Sequence, residues 1–102
     1  MKTPHIVEAL TQAAGQLGLD VRVEKGNFQG GRCTVGEETF VMLNKRHPPE
    51  RHLLVLAEAL RDLPVDTIFL RPAVREALEA AWTELAPRRA PAEPASEPTH
   101  AA

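Results

Sequence analysis

The sequence has no tyrosine, three phenylalanines and one tryptophan. Aromatic faces this sparse argue against a sheet that stacks nucleic-acid bases. A single cysteine excludes an internal disulfide and any multi-cysteine zinc site built from one chain. No window approaches the roughly 18 apolar residues of a membrane-spanning helix. The opening Met-Lys-Thr-Pro-His lacks the apolar run of a secretory signal. Charge of one sign is missing as well. Twelve Lys and Arg stand against 14 Asp and Glu, for a formal net charge of −2, whereas nucleic-acid binding favours a basic balance. Together these absences predict a cytoplasmic, reduced protein with no membrane partner and no nucleic acid.

What remains suits one ordinary globular domain: 102 residues, 43% hydrophobic and 25% charged. At this size the core is thin, and a dry catalytic cavity would compete with it for apolar side chains. Residues 3–17 carry helix punctuation, with Thr3 as a cap, Pro4 in the first turn, and Ile6, Val7, Leu10, Ala13, Ala14 and Leu17 at helical spacing. Gly18 stops that helix. The period then changes to two, as Leu19, Val21 and Val23 alternate with Asp20, Arg22 and Glu24. Residues 25–31 are turn chemistry that reads as a hairpin turn with a bulge. Residues 32–35 form a second strand with Cys33 and Val35 on one face. Residues 39–43 form a third, apolar on both faces and so expected at the centre of the sheet.

Pro48 and Pro49 open a helix expected over 49–62, with Leu53, Leu56, Ala57, Leu60 and Leu63 on its apolar stripe and Pro64 as its stop. Residues 65–70 fit either a short fourth strand or an extended connector. Pro72 opens a last helix with Val74, Leu78, Ala81, Trp82 and Leu85 inward and an Arg75–Glu79 pair outward. The expected fold is α+β: a small, mainly antiparallel sheet of three or four strands packed against two to three helices, in the order α-β-β-β-α-(β)-α. Residues 1–86 form the domain. From Pro87 to Ala102, four prolines among Ala, Glu, Ser and Thr predict a disordered tail.

Few residues carry candidate chemistry. A catalytic Cys33 needs a neighbouring base or cation, and His47 and His52 are the candidates. The alternative is a small apolar residue in a strand core. His47 and His52 also flank Glu50, but they are five apart and two prolines separate them, so neither H-E-x-x-H nor H-x-x-E-H is met. No metal and no cofactor is expected. The glycines of 26–31 lack the spacing of a phosphate-binding loop, and no helix follows them. Phe28 on this glycine-rich turn, with Gln29, Arg32, Asn44, Lys45 and Arg46, forms the expected binding face.

The string Gly26-Asn27-Phe28-Gln29-Gly30-Gly31-Arg32-Cys33, then Leu43-Asn44-Lys45, the helix 53–60, and Pro72-Ala73-Val74-Arg75 resemble a group of small uncharacterised bacterial proteins. That resemblance spans most of residues 19–82 and implies a shared fold in a bacterial cytosol, with no activity attached. A second stretch, 38–44 followed by Arg51 and residues 55–60, resembles the strand-to-helix lead of the ImmA/IrrE-type zinc metallopeptidases. Ala57 and Arg61 stand where that family's motif has its two histidines, and Glu58 alone matches. The resemblance therefore implies a zincin-like domain without its metal. The functional expectation is a non-catalytic binding or regulatory module acting through protein–protein contacts. The alternative is a small enzyme using Cys33 with His47 or His52. A homodimer through an open strand edge or the Trp82 face is a third possibility.

Overall fold

The computed structural model describes residues 1–85, and the expected tail from Pro87 lies outside them. Helix α1 spans Thr3–Gln16. Strands β1 (Asp20–Glu24), β2 (Gly31–Val35) and β3 (Glu38–Asn44) follow. Helix α2 covers Pro49–Leu60, a 3-10 turn covers Val65–Thr67, and helix α3 runs over 72–85. The α+β class and the order α-β-β-β-α-α agree with expectation. No helix is long and apolar enough to cross a membrane among the described residues.

The strand order is β1-β3-β2, with β3 central as its two apolar faces required. β1 runs parallel to β3, pairing Asp20 with Phe40 and Glu24 with Asn44. β2 is antiparallel to β3, pairing Cys33 with Phe40 and Gly31 with Met42. The sheet is therefore mixed, with one parallel and one antiparallel pairing. A consequence is that residues 25–30 are not a hairpin turn, because β1 and β2 are not neighbours. This segment instead carries the chain past the end of β3 from one edge of the sheet to the other. Residues 65–70 do not add a fourth strand, because Pro64 and the 3-10 turn take up the first three of them.

Helix punctuation falls close to its expected places. α1 begins one residue early, with Lys2 at the N-cap and no side-chain cap, so Thr3 is already helical. Its end forms as expected: Gly18 at φ +87° lets its N–H reach the Gly15 carbonyl at 3.1 Å and the Leu19 N–H reach the Ala14 carbonyl at 2.8 Å. α2 stops at Leu60, two residues before the expected 62, and Leu63 packs on the core from the following turn.

α1 and α2 cover one face of the sheet. Ile6, Leu10 and Ala14 from α1, Leu56, Ala57, Ala59 and Leu60 from α2, and Val41 and Leu43 from β3 form one buried cluster. Val74, Leu78 and Ala81 bring α3 into it. α3 is tied to α2 by two reciprocal bonds: Trp82 Nε1 donates to the Ala57 carbonyl at 2.7 Å, and Arg61 Nη2 donates to the Trp82 carbonyl at 3.0 Å. The Arg75 guanidinium holds both Glu79 at 2.8 Å and Asp66 at 2.6 Å. Those bonds, Glu79's first, raise its pKa above the ordinary value, so it remains a cation. The opposite face of the sheet carries no helix among the described residues.

Candidate functional site

The parallel pairing sets the carboxyl ends of β1 and β3 side by side, and three segments converge there: the 25–30 loop, residues 44–47, and the first turn of α2. Asn44 organises them. It is 3% exposed, a buried polar side chain that follows the apolar run Phe40-Val41-Met42-Leu43. Its Nδ2 donates to the carbonyls of Gly26 and Phe28, both at 2.8 Å, and its Oδ1 accepts from the Arg46 N–H at 3.0 Å. A buried amide without such partners would be costly. Here its two donors are satisfied by the loop it holds and its oxygen by the Arg46 N–H that follows the strand. The Asn44 carbonyl accepts from the His47 N–H at 2.9 Å and from the His52 ring at 2.7 Å. A carbonyl only accepts, so this contact places the proton on His52 Nε2.

The pinned loop and the residues after β3 enclose a depression of about 350 Å³ lined by Gly26, Asn27, Phe28, Gln29, Asn44, Arg46 and His47. Phe28 is half-buried because its ring folds back over Gly26. A Cβ at position 26 would stand 2.9 Å from the ring's Cδ1 and Cε1. His47 Nδ1 is buried in the wall with no hydrogen-bond partner, and it is the sole such side-chain nitrogen or oxygen among the described residues. A larger groove of about 470 Å³ lies between α1 and residues 69–71. None of the residues expected to bind lines it, and it holds no buried unpartnered polar atom.

The depression brings together Phe28, Gln29, Asn44 and Arg46 of the expected binding face. Lys45 is exposed beside it without lining it, and its N–H is bonded to the Glu24 carbonyl at 2.9 Å. Arg32 is separated from the group. Its pairing with Val41 points it toward the helix-covered face, where it reaches Asp62 at 3.8 Å. Asn27 and His47 were missed as lining residues, the one hidden in a segment read as a hairpin and the other weighed only as a base or ligand.

Cys33 lies elsewhere. It pairs with Phe40 on the open face of the sheet, half-buried rather than in the core, and its Sγ contacts the Gly31 carbonyl at 3.8 Å. From Phe40 to Asn44, β3 advances about 13 Å, and the His52 ring is bonded at the Asn44 end. The structure does not bring the thiol to that imidazole. Among the described residues, no group of three His, Cys, Asp or Glu side chains could hold a metal ion.

Charge is distributed unevenly around this end. Arg22 pairs with Asp20 and Glu38, Arg32 with Asp62, and Arg75 with Asp66 and Glu79. Among the described residues Lys25, Lys45, Arg46 and Arg51 make no ion pair. All four belong to the segments that meet at the depression. They outnumber the acids of the same segments, Glu24 and Glu50. No protein-family model matches the chain, and no curated protein or solved structure matches it either.

Proposed function

We propose that the chain is a non-catalytic binding module that engages another polypeptide through the depression at the carboxyl ends of β1 and β3. One observation carries the reading: a buried asparagine holds a loop around a concavity that an aromatic ring and an unpaired guanidinium line. Binding residues concentrate on loops that a rigid scaffold positions, and here β3 supplies the scaffold. Phe28 offers an aromatic anchor, Gln29 and Asn27 offer adaptable hydrogen bonding, and Arg46 offers charge. Asn44 acts by positioning them. The separation of Cys33 from His52 favours this reading over a thiol enzyme. The lone cysteine and the resemblance to small bacterial proteins support a bacterial cytosolic setting.

The test is a photo-crosslinking amino acid at Gln29 in the full chain, irradiated in cells of its own source. A discrete covalent adduct with another polypeptide is expected, and it should be lost when Phe28→Ala and Arg46→Ala are added. Equal adduct in that double variant, or none in the parent, would sink the reading.

A further inference from the structure

We infer that the group entering this depression is a carboxylate, carried by an acidic segment of the partner polypeptide. The inference rests on the polypeptide-binding reading above and names the chemistry of its ligand.

Arg46 carries the one guanidinium that lines the depression. The backbone N–H groups of Lys45, Arg46 and His47 are already bonded, to the Glu24 carbonyl, the Asn44 Oδ1 and the Asn44 carbonyl. Asn44 has no amide hydrogen left for a ligand. What remains is the Arg46 guanidinium, which can only donate, together with the side-chain amides of Asn27 and Gln29, which donate and accept. A carboxylate only accepts, and a planar guanidinium fork matches its two oxygens.

The field points the same way. Among the described residues Lys25, Lys45, Arg46 and Arg51 lie on the segments that meet at the depression and make no ion pair, as Lys2 and Arg71 elsewhere also make none, while Arg22, Arg32 and Arg75 are paired with acids. An uncompensated cluster around a concavity attracts and orients an anion. The net charge of −2 disfavours an extended polyanion such as nucleic acid, whose other phosphates would meet the acidic remainder of the surface. A short acidic stretch escapes that repulsion. Its flanking backbone meets the half-buried Phe28 ring at the rim.

The experiment is an amide chemical-shift titration of the full chain with two peptides, one alternating glycine and glutamate and the other alternating glycine and glutamine. The glutamate peptide is expected to shift amides of residues 26–29 and 44–47, weakening as salt is added, while the glutamine peptide leaves them in place. Arg46→Ala should weaken the glutamate peptide about tenfold, as for a lost hydrogen bond to a charged group. Arg71→Ala, an exposed arginine beside the larger groove, should leave it unchanged. Equal shifts with both peptides, no shift at millimolar glutamate peptide, shifts at the α1 groove instead, or tighter binding of oligothymidylate at the same amides would each overturn the inference. Equal shifts at 26–29 and 44–47 would leave the binding reading intact. That reading falls only with the crosslink from Gln29.

Discussion

Asn44 occupies the last position of the central strand, paired with Glu24 on one side and level with the place where the 25–30 loop must cross. An apolar residue there would leave the Gly26 and Phe28 carbonyls facing each other without a donor. Aspartate has nearly the same shape but replaces the Nδ2 donor with an acceptor, so both carbonyls would face a carboxylate. Asn44→Asp is expected to cost about 2–4 kcal/mol, since two bonds are lost and buried acceptors are left unsatisfied. Urea denaturation measures the loss, and a cost below about 1 kcal/mol would show that the loop is held by something else. Gly30 closes the same crossing. Its φ of +84°, and a would-be Cβ 2.9 Å from the Met42 carbonyl oxygen, leave room for no other residue.

At the scale of elements, α2 and α3 are locked by polar bonds as well as by burial. Ala57 lies in the last turn of α2, where carbonyls run out of intrahelical donors, and the Trp82 indole N–H supplies one. Trp82→Phe keeps an aromatic ring but strands that carbonyl and shrinks the side chain. It is expected to cost about 1–3 kcal/mol in urea denaturation. A cost near zero would mean that water replaces the indole. The elements themselves were legible in the sequence. The helical stripes, the Gly18 stop and the two apolar faces of β3 are local patterns read one segment at a time. Strand order was not legible, because alternation in β1 and β2 tells which face is wet and not which neighbour pairs. That gap produced the misread hairpin at 25–30. It also kept Arg32 with the binding face, although its alternation against Cys33 already turned the two apart. Phe28, Gln29, Asn44 and Arg46, which line one depression, were singled out from turn chemistry. The role of Asn44 as a buried clamp depends on a contact eighteen residues away in sequence, which no local pattern carries.

Among the described residues the sheet carries helices on one side only, and its second face is covered by its own side chains. Phe40, Met42, Cys33 and Val35 lie on that face by register, and Val35 is exposed. Phe40 nevertheless is only 7% exposed, because the Arg22 guanidinium stands 4.1 Å over its ring. Asp20 and Glu38 hold the guanidinium from either side at 3.2 and 3.8 Å. These ion pairs are exposed and contribute little energy themselves. Their effect is to keep a charged lid over an aromatic ring. Arg22→Ala should therefore cost only about 0.5–1 kcal/mol, the worth of an exposed cation–π contact. Its larger consequence concerns association, because an uncovered Phe40 joins its apolar neighbours into one continuous patch. Sedimentation velocity over a concentration series should show Arg22→Ala self-associating more than the parent chain. Arg22→Lys, which keeps an aliphatic stem and a cation above the ring, should fall between them. Identical profiles for all three chains would mean that the sheet face is kept apart by its edge charges and not by Arg22.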